Sequence, residues 1–126
     1  MAEKPIVVVE YLVKYLDLFP YSKAGWFNLG LAYSSMLEHE KAIDAYDYVI
    51  AIDETFSTAY FNKGNALATL ERYDEALNAY RETLAFESPE GLTYYYIGEC
   101  YEKMNEPEKA EEYYRLAIEA DPAASD

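Results

Sequence analysis

Basic residues are scarce in this chain. Ten Lys and Arg stand against 24 Asp and Glu, for a formal net charge of −14. A surface that binds nucleic acid needs clustered Lys and Arg to neutralise phosphates, and these ten are scattered. No nucleic-acid partner is therefore expected, and the same shortage disfavours an anionic membrane surface. The acidity reads as a solvated outer face that keeps the molecule soluble and draws in basic partners. Long apolar runs are also missing. No stretch approaches the roughly 20 residues a membrane span needs, and the Ile-Val-Val-Val run at 6–9 is too brief for a secretory leader and has no small-residue cleavage site behind it. One cysteine, Cys100, fits a reducing compartment, so the chain reads as cytoplasmic. There is one histidine and no glycine-rich phosphate loop, which leaves little from which to build an active site.

Glycine is also sparing, at five residues, but three of the five are evenly placed. Gly30, Gly64 and Gly98 are 34 residues apart, and so are Ala42, Ala76 and Ala110. The same interval separates Trp26, Tyr60 and Tyr94, and again Tyr46, Tyr80 and Tyr114. A fixed period of this length marks a solenoid, in which each repeat is one supersecondary unit stacked on the next. Aromatic abundance follows from it: Tyr33, Tyr46, Tyr60, Tyr73, Tyr80, Tyr94, Tyr101 and Tyr114 all fall in equivalent positions.

Within each period the apolar spacing is helical. Residues 23–36 place Trp26, Leu29, Gly30, Ala32 and Tyr33 on one face; Glu38, His39 and Glu40 break the pattern; residues 41–52 turn Ala42, Ala45, Tyr46, Val49 and Ile50 inward. Asp53-Glu54-Thr55 ends that helix, and Thr55 or Ser57 is expected to cap the next. The second repeat predicts helices over 57–70 and 74–86, the third over 91–104 and 107–120, with Pro107 at a helix start where its missing N–H costs nothing. A glycine inside a helix costs about 1 kcal/mol relative to alanine, so Gly30, Gly64 and Gly98 imply a close approach by the partner helix. Lys63, in the place of Leu29 and Ile97, is read as a stem over apolar surface with its ammonium in water.

The runs WFNLGLAY (26–33), YFNKGNAL (60–67) and YYYIGECY (94–101) resemble the first helix of the tetratricopeptide repeat. KAIDAYDYVIAID, EALNAYRETLAFE and KAEEYYRLAIEADP resemble its second helix, and the resemblance covers residues 23–122. It implies an all-α solenoid of antiparallel helix pairs, about seven helices in all, wound into a right-handed superhelix with a concave peptide-binding face. The expected division is an orphan helix continuing the solenoid within 1–22, repeats at 23–56, 57–90 and 91–122, and a tail at 123–126. In 5–20, Leu12 falls where Tyr46 would be and Pro20 falls at the helix-ending proline of the family. That proline otherwise recurs only as Pro122, with Glu54 and Ser88 in the other two places. The chain reads as a binding scaffold excised from a longer array, the alternative being an architectural module whose bare apolar ends stack in end-to-end self-association.

The resemblance puts on the concave face the residues just after each leading aromatic: Phe27 and Asn28, Phe61 and Asn62, Tyr95 and Tyr96. One turn on stand Leu31, Asn65 and Glu99, then Ser34, Ala68 and Glu102. Asn28 and Asn62 resemble the asparagine ladder of peptide-binding members, since an amide offers both donor and acceptor to an extended backbone. The alternative is that they bridge neighbouring helices. Glu99 and Glu102 favour a partner with a basic residue. The Lys and Arg positions that clamp a terminal carboxylate in chaperone-tail-binding relatives are not filled, Asn62 alone matching that pattern. His39 is read as structural or solvated, Cys100 (in the place of Ala32 and Ala66) as an inert packed thiol, and Glu108, Glu111 and Glu112 as solvated charge. No catalytic residue, cofactor or metal is expected; the expected partner is a protein or peptide.

Overall fold

The computed structural model describes residues 4–86 and 91–120, and among them it contains seven α-helices and no strand. They are α1 (Pro5–Leu18), α2 (Lys23–Ser35), α3 (His39–Ile52), α4 (Ser57–Thr69), α5 (Tyr73–Phe86), α6 (Gly91–Lys103) and α7 (Pro107–Ala120). Each helix packs mainly on the one before it and the one after it, and α4 also touches α6. Such nearest-neighbour packing is what a repeat array produces. Ser88 and the 121–126 segment, Pro122 included, lie outside the described residues.

The three glycines are where rings need room. A Cβ at Gly64 would come 2.7 Å from the Tyr80 ring, and one at Gly98 2.6 Å from the Tyr114 ring. At Gly30 the Tyr46 ring fits tighter still. The close approach is thus a tyrosine ring of the second helix pressed against the first helix of the same pair. Tyr46 and Tyr80 are almost wholly buried, at 1% exposure each. The matching alanines Ala42, Ala76 and Ala110 are buried beside them. In α1, Leu12 takes the tyrosine's place and is buried with Val9, Leu16, Leu29 and Ala32.

The turns inside the pairs differ from the sequence expectation. Leu37, Glu71 and Asn105 all have φ of 61°, in the left-handed region. Around Leu37, the Glu38 N–H donates to the Tyr33 carbonyl at 2.9 Å and the Leu37 N–H to that of Ser34 at 3.0 Å. Glu71–Arg72 and Asn105–Glu106 repeat that pair of bonds. This is a Schellman closure, which satisfies the last carbonyls of the first helix in two residues. Because the reversal is so short, α3 starts at His39 and α5 at Tyr73, one or two residues before the apolar pattern begins, and α2, α4 and α6 stop one residue earlier than expected.

Caps also differ. Ser22 caps α2, its hydroxyl accepting from the Gly25 N–H at 3.0 Å. Neither residue expected to cap α4 does so: the cap position is Phe56, Ser57 is the first helical residue, and the Thr55 hydroxyl donates instead to Asp53 Oδ1 at 2.8 Å. Lys63 keeps its half-buried stem, but its ammonium lies 2.7 Å from Asp47 Oδ1 rather than in water alone.

Candidate functional site

Three ring pairs repeat along the stack: Phe27 on Tyr46, Phe61 on Tyr80, and Tyr95 on Tyr114, with centroids 6.0, 6.0 and 5.6 Å apart. The ring just after each leading aromatic therefore braces the tyrosine seated on the glycine. Phe27 also stacks at 5.4 Å on Phe56, the residue just before α4, and the rings link the second and third repeats, since Tyr96 lies 5.6 Å from Phe61 and 6.1 Å from Tyr80. The leading aromatics face elsewhere. Trp26 stacks on Tyr48 at 4.1 Å and its indole N–H donates to the Pro20 carbonyl at 2.8 Å, while Tyr60 stacks on Phe86.

Each seated tyrosine anchors its hydroxyl on the first helix, through whichever residue can accept. Tyr46 pairs with Ser34 at 3.2 Å, and Tyr114 donates to Glu102, in the equivalent place, at 3.4 Å. Ala68 stands in that place in the middle pair and cannot accept, so Tyr80 donates to Asn65 Oδ1 at 2.6 Å. Asn65 thus carries an internal duty that its sequence position did not disclose. Burial raises the hydroxyl pKa of Tyr46, Tyr80 and Tyr114, that of Tyr114 to about 12 with help from Glu102 and Glu99.

Asn28 and Asn62 are different. Neither amide makes a hydrogen bond with another described residue, and Asn28 is exposed while Asn62 is half-buried. Asn28 and Leu31 line a hollow of about 390 Å³ with Val8, Tyr11, Leu12, Ala32 and Ser35, against α1. A second hollow of about 390 Å³ lies between α4 and α6, lined by Asn65, Ala68, Thr69, Tyr73, Tyr80, Tyr96, Glu99, Cys100 and Lys103. The two correspond. Leu12, Asn28, Leu31, Ala32 and Ser35 are each 68 residues before Tyr80, Tyr96, Glu99, Cys100 and Lys103.

The nine residues expected to bind therefore divide. Asn28 and Leu31 open on the first hollow; Asn65, Tyr96 and Glu99 open on the second; Phe27, Phe61 and Tyr95 brace tyrosines; Asn62 lines neither hollow. Tyr95 is 45% exposed and its hydroxyl donates to Glu99 Oε2 at 3.3 Å. Tyr73, Tyr80 and Lys103 were not expected there. Tyr80 repeats with the packing tyrosines and so read as core alone, although one ring serves both roles. Cys100 is buried, and that burial raises its thiol pKa to about 11. His39 opens α3 half-buried, and its Nδ1 finds no partner among the described residues. Glu108, Glu111 and Glu112 are exposed, and among the described residues no three His, Cys, Asp or Glu converge as a metal site would require. No described helix is long and apolar enough to cross a membrane.

Two family models, both described as tetratricopeptide repeat, match the chain, one at residues 24–56 and 92–123 and the other at 57–88. The chain belongs to the tetratricopeptide-repeat family. Its all-α solenoid is shared with solved structures. A MamA crystal structure superposes with a TM-score of 0.91 at 27% identity, over 96% of this chain and 71% of MamA. A second MamA structure (AMB-1) gives 0.84 at 28%, over 92% and 69%. YrrB, described as a TPR protein with an unusual peptide-binding site, gives 0.76 at 26%, over 90% of this chain and 58% of YrrB. The chain spans about two thirds of the length of the MamA structures it matches. No curated protein matches it in sequence. Tetratricopeptide repeats are generally non-catalytic scaffolds, and the family and its solved relatives support a protein-interaction scaffold here.

Proposed function

We propose that the chain binds an extended or helical peptide segment along the face formed by α2, α4 and α6. The observation that carries this is the pair Asn28 and Asn62. They stand 34 residues apart on successive first helices, and neither amide bonds another of the described residues. Amides that bridged neighbouring helices would have partners there, as Asn65 has in Tyr80. Unused amides offer a donor and an acceptor each to a passing backbone, which gives affinity without reading sequence. Phe27, Phe61, Leu31 and Tyr95 supply apolar and stacking area beside them. The likeness to YrrB, a TPR protein with a peptide-binding site, supports the same reading. Affinity for a short segment is expected on the order of micromolar, because ordering a flexible peptide offsets much of the contact energy.

The experiment is Asn28→Ala with Asn62→Ala, measured by calorimetry against a segment obtained by affinity capture. Loss of two backbone-directed hydrogen bonds should weaken binding on the order of tenfold or more. An unchanged affinity in a double variant with the parent's thermal midpoint sinks the ladder.

A further inference from the structure

We propose that the α4–α6 end of this face is a receptor for one basic side chain of the bound segment, an arginine in preference to a lysine, held by Glu99 and Glu102 against the Tyr95 and Tyr96 rings. This rests on the groove reading above and names what its acidic end selects.

Ion pairing is the first observation. Among the described residues the ion pairs are Lys23–Asp53, Lys63–Asp47, Arg72 with Glu40 and Glu75, and Lys109–Glu106. Glu99 and Glu102, adjacent on one face of α6, belong to none of them. Their partners are two tyrosine hydroxyls, Tyr95 to Glu99 at 3.3 Å and Tyr114 to Glu102 at 3.4 Å. Both bonds are longer than the 2.5–3.0 Å usual for O–H···O, so both carboxylates keep most of their accepting capacity.

The surroundings select a cation. Tyr95 and Tyr96 meet edge to face at 5.6 Å, and Glu99 forms part of the wall of the α4–α6 hollow. Glu99 raises the Tyr95 hydroxyl pKa, and Glu102 and Glu99 contribute after burial to the rise at Tyr114, so the field at this end is negative. The fold already sets lysines over rings elsewhere, with Lys41 5.7 Å from the Tyr33 centroid and Lys109 5.5 Å from that of Tyr101. A guanidinium is favoured over an ammonium because it is planar, lies flat on a ring, sheds water more readily and bonds a carboxylate through two N–H groups at once.

One cation already faces the hollow. Lys103 is one turn beyond Glu99 on α6 and makes no ion pair among the described residues. Its charge opposes the incoming one and limits the site to a single basic residue.

The test is a nuclear magnetic resonance titration with three acetylated, amidated pentapeptides, alanine throughout except for a central arginine, lysine or citrulline. Citrulline keeps arginine's shape without its charge. The arginine peptide should shift the amides of residues 95–103 saturably, and the citrulline peptide should bind on the order of tenfold more weakly. Glu99→Gln should cost a comparable factor, and Lys103→Gln should strengthen arginine binding roughly twofold to threefold. Equal binding of arginine and citrulline, or an arginine affinity untouched by Glu99→Gln, overturns the receptor. If the peptides shift the amides of 27–31 and 61–65 without preferring arginine, the groove reading stands and the receptor falls. If no amide on α2, α4 or α6 moves, both fall.

Discussion

At the scale of single residues, the small positions are governed by rings. An alanine at Gly30 would gain about 1 kcal/mol of helix propensity. It would also set a methyl into the Tyr46 ring, which is buried and braced by Phe27. Overpacking of this kind costs about 1–3 kcal/mol, and a ring held on both sides has little room to give. Gly30→Ala should therefore lower stability by a net of up to ~2 kcal/mol in urea denaturation, the better helix former offsetting part of the overpacking. Adding Tyr46→Leu, the residue that α1 carries in that place as Leu12, should remove the clash, so that Gly30→Ala becomes neutral to stabilising by about 1 kcal/mol against the Tyr46→Leu background. The sequence disclosed that Gly30, Gly64 and Gly98 must be small. It did not disclose that a ring rather than a backbone presses on them, because periodicity locates a position without saying which atoms fill it. Asn65 shows the same boundary: its place in the repeat marks a groove residue, and only the absence of an acceptor at Ala68 explains why Tyr80 takes its carbonyl oxygen.

At the scale of elements, the turns inside each helix pair hold a backbone conformation that their side chains do not favour. Leu37, Glu71 and Asn105 share a φ of 61°, a region that a Cβ disfavours and asparagine tolerates best. Leu37 is 77% exposed, so replacing it removes almost no packing. Leu37→Gly should raise the thermal midpoint by relieving roughly 1 kcal/mol of strain, while Asn105→Gly should change it little. A lower midpoint for Leu37→Gly would mean that its side chain packs where it stands exposed. These turns were the least legible part of the fold. Helix number and type followed from the 34-residue period and from the apolar faces around Tyr46, Tyr80 and Tyr114. The turns contain no glycine to announce them, and a residue such as His39 or Tyr73, apolar pattern not yet begun, reads as loop although it is already helical. Asn28 and Asn62 were legible as candidates for the opposite reason. Repeating polar residues on a helix face are visible in sequence, whereas their freedom from internal partners is visible only in the structure.

At the scale of the whole molecule, the repeated tyrosine makes alkali the weak side of the fold. The chain carries −14 at neutrality, so acidification first reduces self-repulsion. Hydrogen bonding from Lys23 and then from Thr55 holds Asp53 down at about 2. Its contribution is present above the ordinary carboxylate range and is lost only as pH falls toward 2. Tyr46, Tyr80 and Tyr114 act in the other direction. Burial raises all three above the ordinary value of 10, Tyr114 to about 12. A raised folded pKa means that the folded state keeps its proton longer than the unfolded one. The stability linked to these protons is fully present below pH 10 and is lost as pH climbs through the folded values. Because each helix packs mainly on its sequence neighbours, a phenolate forced into one pair weakens the seat on its glycine and the contacts to the next pair together. Helical circular dichroism should therefore be retained to about pH 10 and fall steeply above it, in step with a final rise in phenolate absorbance. Tyr80→Phe, which cannot ionise, should move that transition to higher pH even though it forfeits the bond to Asn65. Full tyrosine ionisation with helicity intact would show that these hydroxyls reach water without opening the stack.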